Sequence, residues 1–261
     1  MAWTRLPAIL RYALLVVALV AIWQAYVTLG HANALLIAAP LDVARAIVTD
    51  VRNGHLIWAT ANTLETLLLG MAIGTAVGFA LASFAVFTRV GNDLLTVLTA
   101  IFNPLPSIAV LPLAMLAFGL TPKAVVFVVA LATVWPVALN TDNGFRTISP
   151  TTQLAARNLG LRGWRLVWGV LLPAALPSII TGLKTAWAFG WRTVVAAELI
   201  FGVAGAAGGL GWYINNARYF LETATIFAGL VVISMLGIVV EGVFGFVERR
   251  TIVRWGMKRS A

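Results

Sequence analysis

The sequence predicts an all-α integral membrane protein with six transmembrane helices, and three observations carry that prediction. Of its 261 residues, 61% are hydrophobic and only 10% charged, against about 25% charged in soluble domains. Mean hydropathy is +0.96. The apolar sequence comes in six runs of about 20 residues, the length that crosses a bilayer as a helix. The charges gather at the ends of those runs, with about 12 of the 18 lysines and arginines in segments expected to be cytoplasmic, 4 outside and 2 within spans. A net charge of +9 and a pI near 11.1 would also suit a nucleic-acid binder, but this asymmetric placement is a membrane signature and gives no basic stripe for nucleic acid. The chain has no cysteine, which excludes a disulfide framework or thiolate metal site.

The first span is expected from about Tyr12 to Leu29, after Arg5 and Arg11. A cleaved signal peptide is the competing reading, since Ala32-Asn33-Ala34 resembles a cleavage site. The apolar run is longer than a signal core of about 7–15 residues and includes Trp23 and Gln24, which favours retention as an anchor. The polar stretch His31–Ala61 should lie outside. Within it, Asp42 is placed to cap a short amphipathic helix that presents Val43, Ile47 and Val51 on one face. The second span is expected from Asn62 to Phe87, the third from Leu94 to Phe118, the fourth from Pro122 to Asn140, the fifth from Ala174 to Val203 and the sixth from Thr223 to Phe246. Both termini are then cytoplasmic. This divides the chain into an N-terminal helix with its outer segment (1–57), a transmembrane core (58–248) and a basic tail (249–261).

The break from Asp142 to Pro173 follows local rules. Ser149 followed by Pro150 starts a helix, because the hydroxyl accepts from an orphan amide and proline fixes the first helical φ. Gly160 is placed to end that helix in the left-handed conformation, and a second short helix from about Gly163 leads into the next span. The small Ala155 and Ala156 permit close approach by another surface, with Arg157, Arg162 and Arg165 at its rim. A basic loop lying on anionic lipid is the alternative, which needs the arginines but not the spacing.

That spacing closely resembles the loop of bacterial ABC importer permeases, whose pattern is E-A-A, three residues, Gly, nine residues, Ile-x-Leu-Pro. Ala155, Ala156, Gly160, Leu172 and Pro173 match, Val170 replaces Ile, and Leu154 stands in place of the acid. From about Ala39 to Arg250 the chain is similar to permease subunits of nitrate, taurine and aliphatic sulfonate importers. The further landmarks are Asn103-Pro104-Leu105-Pro106, Leu111-Pro112-Leu113, Phe118-Gly119, Ala196-Ala197-Glu198-Leu199 and Gly209-Leu210-Gly211.

The resemblance implies a type I importer fold in the bacterial inner membrane, a second copy of the permease, two cytoplasmic ATPase subunits on the coupling loop (149–173) and an extracytoplasmic solute-binding protein. It implies no cofactor in this chain and ATP-Mg on the partner ATPases. The chain itself has no G-x-x-x-x-G-K-[ST] phosphate loop. With Leu154 in place of the acid, docking of the ATPase should rest on apolar packing and the neighbouring arginines.

The third span contains Pro104, Pro106 and Pro112, each of which removes a helix hydrogen bond and frees a carbonyl that lipid cannot satisfy. This stretch is either a kinked packing helix or the wall of a hydrated pathway that would expose Asn103 and Ser107. The fifth span carries Lys184, Arg192 and Glu198. Lys184, near the cytoplasmic end, is expected to snorkel. Arg192 and Glu198 are about 240° apart around a helix and cannot pair with each other. Each either joins a structural pair elsewhere or lines the pathway. Glu241 and Glu248 are expected to pair with the basic tail. The glycine-rich segment 202–211 is expected to form an outer turn or gate, including Gly209, Leu210 and Gly211, with Trp212 and Tyr213 as interfacial anchors.

An intramembrane enzyme is disfavoured, because both histidines lie in the outer loop and no span pairs a serine with a histidine. An ion-coupled carrier fits the buried charges but leaves the loop unexplained. The expected solute is a small anion such as nitrate, taurine or an alkyl sulfonate, with a cationic or neutral heterocycle as the alternative.

Overall fold

The computed structural model describes residues 7–30, 33, 35–201, 208–248 and 250–251. Most of the basic tail, His31 and the first six residues of the 202–211 segment lie outside the described residues. The chain forms helices α1 (Ala8–Leu29), α2 (Pro40–Arg52), α3 (His55–Phe87), α4 (Arg89–Phe102) and α5 (Leu111–Phe118), the last preceded by a 3-10 turn, Ser107–Val110. Then follow α6 (Pro122–Arg146), α7 (Pro150–Asn158), α8 (Gly163–Leu166), a π turn (Val167–Leu171), α9 (Leu172–Phe201), α10 (Leu210–Tyr219) and α11 (Thr223–Glu248).

Five of these helices are long and apolar enough to cross a membrane. The third expected span is not one straight helix. α4 and the Ser107–Phe118 segment meet at an angle of 86°, and the count reaches six when this bent pair is taken as one crossing. Pro104 and Pro106 are the cause, since residues 103–106 leave the helical ladder. Pro112 sits in the first turn of α5, where no intrahelical amide bond is lost, and so makes no kink.

α6 is the central helix, buried along most of its length between α3 and α9. Its approach to α3 depends on Gly70, Gly74 and Gly78, spaced every four residues and therefore on one face of α3. A Cβ on Gly74 would lie 2.6 Å from the Ala130 carbonyl oxygen, and one on Gly78 would lie 2.6 Å from that of Val134. Backbone meets backbone along this seam. By contrast α1 is peripheral, with side chains such as Val17, Leu19 and Ile22 exposed, and it touches the bundle through Trp23 and Phe227, whose rings are 5.5 Å apart.

Five local expectations change. The second span begins at His55 rather than Asn62, because the apolar residues Leu56, Ile57 and Trp58 extend the helix into the expected polar stretch. Asp42 does not cap α2; Ala39 occupies that position with Pro40 next, and Asp42 instead pairs with Arg45 at 3.2 Å. The fourth span continues past Asn140 to Arg146, whose Nε donates to Asp142 Oδ2 at 2.7 Å one helical turn away. Glu241 pairs with Lys184, which gives Lys184 a carboxylate partner across α9 and α11; the expected pairing with the basic tail lies outside the described residues. Tyr213 is no interfacial anchor: it is buried, and its hydroxyl donates to Asp50.

Candidate coupling loop and translocation site

The loop between α6 and α9 is built by its end signals. Ser149 Oγ accepts from the Thr152 amide at 3.2 Å, which starts α7. At the other end the Gly160 amide donates to the Arg157 carbonyl at 3.0 Å and the Leu161 amide to the Ala156 carbonyl at 3.0 Å, with Gly160 at φ +81°. That pair of bonds around a left-handed residue is a Schellman ending.

α7 has two faces. Ala156 is buried with Ala82, Phe145, Ile148, Leu166, Val167, Leu171 and Ala175, a cluster that joins the loop to the ends of α3, α6 and α9. Gln153 also turns inward and donates to the Ile148 carbonyl at 3.2 Å. The opposite face is open: Ala155, Arg157 and Gly160 are exposed, as are Leu154 at 59% and Leu159 at 81%. Two leucines this exposed beside Arg157, Arg162 and Arg165 form a surface suited to a protein partner. Leu172 is half-buried and Pro173 exposed, in the first turn of α9. A displacement of α7 by a partner would reach three spans at once through Ala156.

The broken α4/α5 segment bounds a cavity of about 250 Å³ together with α6 and α9. Asn103, Pro104, Pro106 and Ser107 line it from one side, Trp135 and Pro136 from α6, and Phe189 from α9. Phe102 stacks on Trp135 with centroids 5.6 Å apart and rings 4° from parallel, and Ser107 Oγ lies 3.0 Å from Thr193 Oγ1. Arg192 is exposed and forms no ion pair or hydrogen bond among the described residues. It follows Phe189 by three residues, so it lies on the same face of α9 about one turn beyond the cavity.

Glu198 belongs to a different group. It is 2% exposed, and both of its carboxylate oxygens lie 2.9 Å from the Thr63 hydroxyl. The Gly211 amide donates to Glu198 Oε2 at 2.9 Å, while the Leu210 amide donates to Thr63 Oγ1 at 2.7 Å. Thr63 and Glu198 thus satisfy the first two amides of α10 and put an acid at its positive end. Gly209 and Gly211 are glycines because of this approach: a Cβ on Gly211 would lie 2.6 Å from the Val195 carbonyl oxygen, and one on Gly209 would strike the Glu198 carboxylate itself. The structure therefore joins Glu198 to Gly209, Leu210 and Gly211 and leaves Asn103, Pro104, Pro106, Ser107 and Arg192 as a separate constellation. Sequence reasoning missed Thr63, whose partner is far away along the chain, and the Gly70-x-x-x-Gly74-x-x-x-Gly78 pattern, which was legible as a helix-packing motif.

The model of the family described as binding-protein-dependent transport system inner membrane component matches residues 70–253. The chain belongs to this family. It is 33% identical over 239 residues to the aliphatic sulfonates transport permease protein SsuC of Escherichia coli (strain K12), covering 92% of this chain and 89% of that protein. The taurine transport system permease protein TauC of the same organism is 29% identical over 237 residues, covering 89% of this chain and 85% of TauC. Among solved structures, the inward-facing MetNI methionine ABC transporter superposes with a TM-score of 0.54 at 21% identity, over 73% of this chain and 91% of that one. The fold is that of a type I ABC importer permease. The chain is a multi-pass transport subunit and no enzyme.

Proposed function

We propose that this chain is the permease of an ATP-driven importer that works as a dimer, with an ATPase docked on each α7–Gly160 loop and a binding protein delivering solute to the far side. ATP and Mg²⁺ are bound by the partner ATPases, and both termini lie in the cytoplasm of a bacterial cell whose inner membrane holds the complex. The observation that carries this reading is the Schellman-ended loop, open on one face and rooted by Ala156 at the base of three spans. Leu154 and Leu159 supply the apolar contact that replaces the acid found in the family's loop.

The test is Gly160→Val. No atom lies within 4 Å of a Cβ at this position, so the change adds no clash and costs only the left-handed backbone strain of about 1–2 kcal/mol. Binding-protein-stimulated ATP hydrolysis should fall by about tenfold, as an unfavourable coupling step of about 1.4 kcal/mol requires. Full stimulation in a normally expressed variant would refute transmission through this bend.

The solute favoured is small and carries an oxyanion group: nitrate, taurine or an alkyl sulfonate. One arginine per subunit, without an ion pair among the described residues and lying beyond a largely apolar cavity, offsets dehydration of an anion without holding it tightly. Arg192→Gln should lower uptake of the anion by about tenfold, equivalent to about 1.4 kcal/mol, with expression retained because no buried carboxylate is stranded. Arg192→Lys should keep part of the uptake, since the charge remains and the planar fork is lost. Undiminished uptake in Arg192→Gln would remove the arginine from the pathway.

A further inference from the structure

At the end of the fold opposite the coupling loop, about 35 Å away along α3, lies a second and larger cavity of about 490 Å³. Its walls include Asp50 from α2, His55 and Trp58 from α3, Trp212 and Tyr213 from α10, and Glu222 just before α11. In a chain with 18 lysines and arginines against 9 acids, this cavity is lined by two carboxylates and by no lysine or arginine among the described residues. Arg218, the basic residue of α10, rests instead over the Tyr219 ring, with its guanidinium carbon 5.4 Å from the centroid.

The two acids are held differently. Asp50 accepts the hydroxyl of buried Tyr213. Burial, that hydrogen bond and the charges of Asp50 and Glu222 hold the phenol above its ordinary pKa, so Tyr213 remains a donor. Glu222 is exposed and makes no side-chain hydrogen bond or ion pair among the described residues. Trp58 is 56% exposed and Trp212 37%, so indole surface is open beside the carboxylates. Two carboxylates in one cavity with exposed indoles suit a cation with an apolar stem, which lies along the rings and ends at the acids.

We infer that this cavity is a docking socket for a lysine or arginine side chain of the binding protein, an assignment that rests on the importer reading above. It opens at the end where that protein delivers solute. The carboxylates would repel an anionic solute, whereas the Arg192 constellation would attract one, so the two sites divide the work by charge.

The test uses the full chain with its ATPase in lipid nanodiscs, titrated with the solute-loaded binding protein that stimulates the wild-type complex. Glu222→Lys alters an exposed side chain outside the packed core. It should raise the half-saturating concentration of binding protein by about tenfold and flatten its dependence on salt, because a rim charge acts on encounter. The maximal stimulated rate should stay within about twofold. Glu222→Gln should give a smaller shift in the same direction, and Trp58→Ala should raise half-saturation with the salt dependence unchanged. An unchanged half-saturation and salt slope in Glu222→Lys overturns the socket while the importer reading stands. A loss of maximal rate alone also overturns it and gives the cavity to the solute. A wild-type complex that no loaded binding protein stimulates overturns both readings.

Discussion

Gly74→Val should leave little folded protein in the membrane. A Cβ at this position would meet the Thr133 side chain and lie 2.6 Å from the Ala130 carbonyl oxygen. The hydroxyl can turn aside; a carbonyl of a buried helix cannot. Valine adds two further methyl groups to that seam, so α3 and α6 must separate along the most extensive helix contact of the fold. Overpacking a closed core costs about 1–3 kcal/mol where side chains can yield and more where they cannot, and membrane helices have no hydrophobic driving force to recover the loss. Yield of detergent-extracted, monodisperse protein should fall by about tenfold, as a loss of about 1.4 kcal/mol from a marginal equilibrium produces. The same substitution at Gly169, where a Cβ would meet nothing within 4 Å, should leave the yield unchanged. Normal recovery of Gly74→Val would mean that the α3–α6 seam is looser than the structure shows.

The second large effect is expected at Glu198. Alanine there leaves the Gly211 amide and the Thr63 hydroxyl without their acceptor in a buried setting, at about 1–3 kcal/mol for each group, and removes the acid from the start of α10. The thermal midpoint of the purified protein should drop by about 5 °C or more. Glu198→Gln keeps one acceptor oxygen and should lie between wild type and alanine. Thr63→Val should be costly alone but add little on top of Glu198→Ala, because the two residues act as one unit. Additive losses would show that Thr63 and Glu198 hold α10 independently. An unaltered midpoint in Glu198→Ala would sink the capping role and return the residue to the pathway.

The difference between what was readable in advance and what was not shows most clearly in the 142–173 segment. Its helix start at Ser149-Pro150, its ending at Gly160 and its second helix from Gly163 all appear as expected, because each is fixed by the φ preference or capping capacity of one or two adjacent residues. The third span shows the limit of the same reasoning. Three prolines indicated a disturbed helix, but only the geometry distinguishes the pair that breaks it by 86° from Pro112, which begins the helix after the break.

By itself the sequence determined the class of protein, the order of its apolar runs, the cap-and-glycine design of the loop and the separation of Arg192 from Glu198. These depend on hydropathy summed over about 20 residues and on local backbone preferences, which the chain carries wherever it folds. The tertiary structure decided which polar groups meet. Thr63 and Glu198 are 135 residues apart along the chain, and Tyr213 and Asp50 are 163 apart. Neither pairing has a period or spacing to announce it. Inside an apolar bundle each polar group must find some partner, and that need is visible in the sequence as a buried charge without a neighbour. Which partner answers it depends on how the helices pack, and around Glu198 the glycines at 209 and 211 let the start of α10 come close enough to α3 and α9 for these bonds to form.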